Sequence, residues 1–291
     1  VGTLATAAVV GLAATLLLDF STLEGLLLGS IVASTDSAAI FGVLRNSSIQ
    51  RRLARTLEAE SGLNDPPAIL LVIGFIEWIQ LPDYGVPDML ALVAQQLAIG
   101  AAVGLLFGWL AVAAFRRVSF ATSGLYPVAS IATAALAFGS ADVIEGSGFL
   151  AVYLAGLVLG SGRIPGRRTV EDFHAGAAWV SQIAVFLTLG LLVFPSELAD
   201  IAPEGLLLAG VLMFLARPLA ALAATRVGRF SLRETTLVSW AGLRGAVPVV
   251  LATFPISEGI EQAGEMFNIV FFVVLTSTLL QGTTFEPLAR A

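Results

Sequence analysis

The feature that most constrains this chain is the polar hexapeptide 60–65 (Glu-Ser-Gly-Leu-Asn-Asp), in a segment otherwise apolar enough to cross a membrane. The hexapeptide contains two carboxylates and an Asn, and the apolar run 68–73 follows it closely. An ionised carboxylate at bilayer depth is costly, and it almost always faces a water-filled cavity or a charged partner. The hexapeptide therefore indicates an ion or proton site in a membrane-embedded chain.

The composition also favours the membrane. Hydrophobic residues make up 57% of the chain and charged residues only 12%, whereas soluble domains carry about 25% charged residues. Cysteine is absent and His174 is the only histidine, so we expect no disulfide, no thiol catalysis, no metal centre and no cofactor. The sequence contains no nucleotide-binding loop, so we do not expect ATP to drive transport.

The distribution of charge predicts both the number of spans and their orientation. A membrane-crossing helix needs about 20 apolar residues, and by this criterion we predict about ten transmembrane helices. The loops after the second, fourth, sixth and eighth spans carry Arg, whereas the loops between them carry only acidic residues. Because cytoplasmic loops carry the basic excess, the Arg loops are expected inside. The predicted spans are 1–18, 23–44, 56–78, 89–115, 122–141, 146–161, 174–194, 204–225, 232–254 and 265–284.

Several charged residues are predicted to meet at the middle of the bilayer. A rise of about 1.5 Å per residue places Asp36, Asp65 and Arg244 near the midplane, with Glu60 about one helical turn away. Arg217 is expected near the cytoplasmic interface, where its side chain can reach water. Because an unpaired Arg at depth is costly, we predict a structural ion pair between Glu60 and Arg244. That pair leaves Asp65 to bind an ion or a proton; the alternative is that all these charges form one structural network.

Two spans contain residues that disfavour a continuous helix. The polar cluster 34–37 competes for backbone hydrogen bonds, and an unwound turn there would offer carbonyls and hydroxyls as cation ligands. The Gly-Leu-Arg-Gly segment 242–245 predicts a second interruption. The three-span runs 1–78 and 204–284 contain these interruptions and have opposite orientations by the Arg rule. We therefore predict an all-α polytopic membrane protein with an inverted repeat and two broken helices meeting at the midplane.

The repeat also predicts how much of the protein the chain contains. Two predicted spans, 146–161 and 174–194, precede the second run within its half, whereas none precedes the first. We expect residues 1–291 to be a single transmembrane transporter domain, a fragment of a longer transporter whose N-terminal helices are missing here.

Four segments form a recognisable set of motifs: Ser-Thr-Asp-Ser-Ala-Ala at 34–39, Glu-Ser-Gly-Leu-Asn-Asp-Pro at 60–66, Gly-Ser-Gly-Phe-Leu-Ala-Val-Tyr-Leu-Ala-Gly at 146–156 and Trp-Ala-Gly-Leu-Arg-Gly-Ala-Val-Pro at 240–248. Together, and in this order, they resemble motifs of the cation:proton antiporter-1 family of sodium/proton and potassium/proton exchangers. The forms at 60–66 and 249–255 are most similar to the potassium/proton, NhaP-type branch.

The resemblance implies a fold of thirteen helices in a full member, with this chain starting at the fourth, and a homodimer. It implies that Asp65 is the cation- and proton-binding carboxylate and that Glu60 and Arg244 form a supporting pair. It also implies that exchange is electroneutral, and that a cytoplasmic C-terminal regulatory region is missing here. The residues that the resemblance places around the bound ion are Thr35, Asp36, Ser61 and Asn64.

The sequence thus predicts a monovalent cation:proton antiporter of the cell membrane, which exchanges K⁺ or Na⁺ for H⁺ at one carboxylate and serves pH homeostasis. We expect no enzymatic activity and no nucleic-acid partner. One alternative is an ion-coupled symporter or channel of similar inverted-repeat fold, which flux without proton coupling would reveal. Another is an intramembrane aspartyl protease that uses Asp36 and Asp65, although the Thr-Asp and Asn-Asp contexts differ from the motifs of such enzymes. A third is that the fragment alone is inactive.

Overall fold

A computed structural model describes residues 2–35, 51–118, 120–193, 195–228 and 230–290. All regular structure in these ranges is helical, which confirms the all-α prediction for the described part of the chain. In chain order the helices are α1 (Gly2–Leu17), α2 (Thr22–Ile31), α3 (Arg51–Gln80), α4 (Val86–Arg117), α5 (Leu125–Val143), α6 (Gly148–Ser161), α7 (Arg167–Leu191), α8 (Pro195–Val211), α9 (Arg217–Gly228), α10 (Leu232–Trp240), α11 (Ala246–Leu251), α12 (Thr253–Ser257) and α13 (Ala263–Arg290), with the π-helical turn Leu212–Ala216 between α8 and α9.

Several of these helices suit a membrane. Within the described ranges, five helical stretches are long and apolar enough to cross one: Gly62–Gln80, Val86–Arg117, Arg167–Leu191, Leu198–Thr225 and Ala263–Ala289. Shorter apolar helices cover Gly2–Leu17, Thr22–Ile31, Gly148–Ser161 and Ala246–Ser257. The chain therefore has several membrane-crossing helices, while the number of ten and the inverted repeat stay predictions.

The chain divides into two compact units. The first contains Val1–Gly85 and Ala184–Ala291, and the second contains Val86–Ile183. The runs 1–78 and 204–284 both belong to the first unit, and so do all the predicted site residues. In the second unit, α4, α5 and α6 pack through small buried side chains such as Ala137 and Ala151, because small residues let helix backbones approach closely in a membrane.

Helices α2 and α10 begin in the same way. Ser21 and Ser231 are their N-caps, and each Ser hydroxyl accepts a hydrogen bond from the backbone N–H of the Glu three residues later. That Glu accepts the N–H of the cap residue in return, so each capping box satisfies donors that the helix start leaves unpaired. Each helix is short and is followed by non-helical residues, 32–35 after α2 and 241–245 after α10.

Close packing of α1 on α2 positions the first of these non-helical segments. A Cβ atom at Gly29 would lie 2.2 Å from the carbonyl oxygen of Ala7, so only glycine permits this approach. Helix α3, which also packs on α2, carries the hexapeptide 60–65 and continues through Pro66 and Pro67. The end of α2 therefore lies against the polar part of α3.

Candidate functional site

The centre of the candidate site is formed by α3 and the residues after α2. The Ser34 hydroxyl donates a hydrogen bond to Oδ1 of Asp65. The Asn64 amide nitrogen donates to the Thr35 hydroxyl at 2.5 Å, and the Thr35 backbone N–H donates to Asn64 Oδ1 at 3.4 Å. The structure thus brings together three of the predicted site residues, Thr35, Asn64 and Asp65, and adds Ser34 to them.

Burial differs across this group. Ser34, Thr35 and Asn64 are 0%, 2% and 6% exposed, whereas Asp65 is only partly buried. A carboxylate beside buried hydroxyl and amide oxygens offers the hard oxygen ligands that alkali cations accept. The arrangement can therefore hold one monovalent cation or one proton at Asp65.

Two of the predicted site residues cannot be placed in this group. Asp36 lies outside the described residues. Ser61 belongs to α3, but its side chain lies outside the described part of the structure.

The predicted ion pair between Glu60 and Arg244 is wrong. Glu60 Oε1 instead lies 2.9 Å from Nη1 of Arg217, and Arg217 Nη2 donates to the carbonyl oxygen of Val238 at 3.2 Å. Arg217 is 3% exposed, so the expectation that it reaches water at the interface is also wrong. Depth along separate spans does not say which helices touch, and the fold brings Arg217 rather than Arg244 to the Glu60 carboxylate.

Local backbone geometry helps to aim Arg217. The π-helical turn Leu212–Ala216 ends directly before it, and such turns occur often at functional sites. Gly242 packs against the guanidinium, where a Cβ atom would lie 2.1 Å from Arg217 Nε. The predicted interruption at 242–245 therefore also provides the space that the buried Arg217 needs.

Arg244 contacts backbone instead of a carboxylate. Its Nη1 donates to the carbonyl oxygens of Ala33 at 2.9 Å and Ser34 at 2.5 Å, and its side chain is fully buried. A cation beside the C-terminus of a helix is favourable because the last carbonyls carry partial negative charge. Among the described residues, Arg244 Nε and Nη2 have no hydrogen-bond partner.

Side chains of α13 form hydrogen bonds with the backbone at the end of α10 and in the non-helical segment 241–245. The Arg244 backbone N–H donates to the Ser277 hydroxyl at 3.2 Å, and the Thr278 hydroxyl donates to the Arg244 carbonyl at 3.0 Å. Gln281 Nε2 donates to the carbonyl of Trp240, the last residue of α10, at 3.1 Å. These side chains satisfy backbone groups that a membrane helix exposes only where protein or a cavity covers them.

The sequence predicted cation ligands in the polar cluster 34–37 without singling out Ser34, and it did not assign Arg217, Ser277 or Gln281 to the site. The signal for Ser277 and Gln281 was available, because two polar residues four apart on an apolar helix share one face. For Arg217 the signal was its position inside a predicted span. In the described residues there is no group of three or more His, Cys, Asp and Glu side chains that could hold a metal ion.

Comparison with known proteins identifies the family of this chain. The model of the family described as "Sodium/hydrogen exchanger, transmembrane" matches residues 1–291. The chain belongs to the sodium/hydrogen exchanger family. As a member of this family, with several apolar helices, it is a multi-pass membrane protein.

Relatives of this chain include named antiporters. The K⁺/H⁺ antiporter NhaP of Alkalimonas amylolytica is 42% identical over 99% of the chain, and NhaP2 of Shewanella sp. (strain ANA-3) is 41% identical over 99%. The chain covers 50% and 51% of these two proteins, so it spans about half their length. The Na⁺/H⁺ antiporter NhaH of Halobacillus dabanensis is 27% identical over the whole chain and is covered to 74%.

The fold of this chain also matches a solved structure. The sodium proton antiporter MjNhaP1 from Methanocaldococcus jannaschii superimposes with a TM-score of 0.85, covering 97% of this chain and 76% of that one, at 24% sequence identity. At this identity the likeness shows a shared fold.

Proposed function

We propose that the chain is the transport part of a monovalent cation:proton antiporter that exchanges K⁺ or Na⁺ for H⁺ at Asp65. The observation that carries the proposal is the contact between Asp65, on an apolar helix, and Ser34, beyond the end of α2, with the Asn64–Thr35 hydrogen bonds beside it. The names of the relatives as K⁺/H⁺ and Na⁺/H⁺ antiporters support this assignment.

Charge balance favours Asp65 as the exchanging group. Glu60 is neutralised by Arg217, so that carboxylate has a structural role. Asn64 contributes an uncharged amide where a second acid would bring another negative charge. One cation then replaces one proton at Asp65, and the exchange is electroneutral. Thr35 and Asn64 contribute the neighbouring oxygen and amide groups, and the family resemblance adds Ser61 and Asp36 to the proposed site.

Competition at one carboxylate couples the two fluxes. An ionised carboxylate is disfavoured in a low-dielectric barrier. The site at Asp65 therefore switches its access from one membrane face to the other only when a cation or a proton neutralises the carboxylate. In transporters with inverted repeats, one part of the protein rocks against another around such a site. We assign the repeats to the runs 1–78 and 204–284, with the interruptions after α2 and α10 meeting at Asp65.

The decisive experiment measures cation-dependent proton flux in proteoliposomes that contain the full-length parent protein. Asp65→Asn is expected to abolish the flux for both K⁺ and Na⁺, because an amide neither binds a proton nor balances a cation. Asp142→Asn is the matched control, because Asp142 is exposed at the end of α5, and it should retain the flux. Exchange that persists in Asp65→Asn would refute the assignment, and cation flux without proton movement would indicate a channel.

We further propose that the protein is a homodimer in the cell membrane and contributes to pH homeostasis. The dimer is what the family resemblance implies. Native mass spectrometry of the detergent-solubilised parent should show two copies, and a monomer that retains exchange would contradict the dimer.

A further inference from the structure

We propose that Ser34 is an additional residue of the transport site, which holds ionised Asp65 in the cation-free state and turns its oxygen to the cation when one binds. Arg244 is the positioning residue for Ser34. The inference rests on the proposed function, because it assigns roles at the same carboxylate. The family resemblance places Thr35, Asp36, Ser61 and Asn64 around the ion, and Ser34 is not among them.

The Ser34 hydroxyl lies directly against the carboxylate of Asp65. Ser34 is completely buried, and its hydroxyl donates to Asp65 Oδ1. The neighbouring Thr35 hydroxyl is engaged differently, because it accepts the Asn64 amide hydrogen at 2.5 Å. The Ser34 hydroxyl therefore contacts the exchanging carboxylate directly.

The Arg244 side chain fixes the backbone of Ser34. Arg244 Nη1 lies 2.5 Å from the Ser34 carbonyl oxygen and 2.9 Å from that of Ala33. The backbone of Arg244 is in turn held by Ser277 and Thr278 of α13. Arg244 thus connects the interruption after α10 to the residue that contacts Asp65, without touching the carboxylate itself.

The chemistry of a hydroxyl suits both states of such a site. A serine hydroxyl carries one hydrogen to donate and two lone pairs to accept. Donation to a carboxylate favours its ionised form, which opposes protonation. When a cation reaches Asp65, rotation about the Cβ–Oγ bond presents a lone pair to the cation in place of the hydrogen. The same side chain therefore disfavours the proton and favours the cation.

The test is the pH profile and the cation KM of exchange in proteoliposomes with the full-length parent, for wild type and Ser34→Ala. Removing a hydrogen bond to a charged group changes an equilibrium constant about tenfold or more. Ser34→Ala should therefore raise the KM for K⁺ or Na⁺ about tenfold at fixed pH and move half-maximal exchange by about one pH unit to the alkaline side. A purely structural role would lower the maximal rate and leave both quantities unchanged.

Ser30→Ala is the matched control. Ser30 is also completely buried, but its hydroxyl donates to the Leu26 carbonyl of its own helix at 2.7 Å. This variant should keep the wild-type KM and pH profile. If Ser34→Ala does not fold, Ser34→Cys keeps a weaker donor of similar size and should give a smaller shift in the same direction.

Arg244→Gln tests the positioning role. It should move the pH profile in the same direction as Ser34→Ala, and combining the two substitutions should add little further shift, because Arg244 acts through Ser34. A wild-type pH profile and KM in Ser34→Ala would overturn the inference while leaving the proposed function intact. Absence of cation-dependent proton flux in the wild-type parent would overturn both.

Discussion

The ion pair between Glu60 and Arg217 can be tested against the alternative pairing with Arg244. Removing one partner of a buried pair costs about 3–5 kcal/mol, because the other charge is left uncompensated. The side chains of Arg217 and Glu60 are 3% and 26% exposed, so a lone Arg217 cannot reach water while a lone Glu60 partly can. Glu60→Gln should therefore lose about 3 kcal/mol of stability, and Arg217→Met should lose less than that.

The assay is a double-mutant cycle on the free energy of unfolding of the purified parent protein, with denaturant titration in mixed micelles. Glu60→Gln and Arg217→Met together should be less destabilising than the sum of the single substitutions by about 2 kcal/mol. The matched cycle with Glu60→Gln and Arg244→Gln should give a coupling below about 1 kcal/mol, because those two side chains form no direct contact. A larger coupling for Arg244 than for Arg217 would refute the assignment.

Two further predictions concern neighbours of the same groups. Gly242→Ala should destabilise the protein by about 1–3 kcal/mol in the same assay, because its Cβ would overlap the Arg217 guanidinium. Gly210→Ala should be near neutral, because no atom lies within 4 Å of a Cβ at that position. Equal stability of the two variants would contradict the packing of Gly242 on Arg217. Asn64→Asp should convert electroneutral exchange into exchange that moves net charge, because a second carboxylate can carry a second proton. Recordings on a solid-supported membrane should show a transport current for the variant and none for the wild type. The reverse result would reject the proposed role of Asn64.

Much of the fold was predictable because it depends on local pattern. Apolar runs of membrane length predicted the helices, and the match of both α2 and α10 to a Ser-x-x-Glu start reflects hydrogen bonds between residues three apart. The interruption at 242–245 was predicted from its glycines, and the structure has non-helical residues there. These features involve neighbours in the chain, so the sequence contains the information directly.

The sequence by itself determined the chemistry of the candidate site. Asp65 and Asn64 are adjacent residues of an apolar segment, and the cost of a charge at that depth made them the focus without knowledge of the fold. The contact between Asn64 and Thr35 agrees with the family resemblance, which places both residues around the ion.

The tertiary structure alone decided which partner each buried charge takes. Glu60 and Arg217 are separated by 157 residues and meet because of how their helices pack. Counting residues along a span estimates depth in the membrane, but it does not show which helices are neighbours. For the same reason Arg244, predicted to need a carboxylate, is held by the carbonyl oxygens of Ala33 and Ser34. The side-chain sequence does not show which backbone carbonyls are left free at a helix end. Only the packing of the helix ends shows that such carbonyls can take the place of a counter-charge.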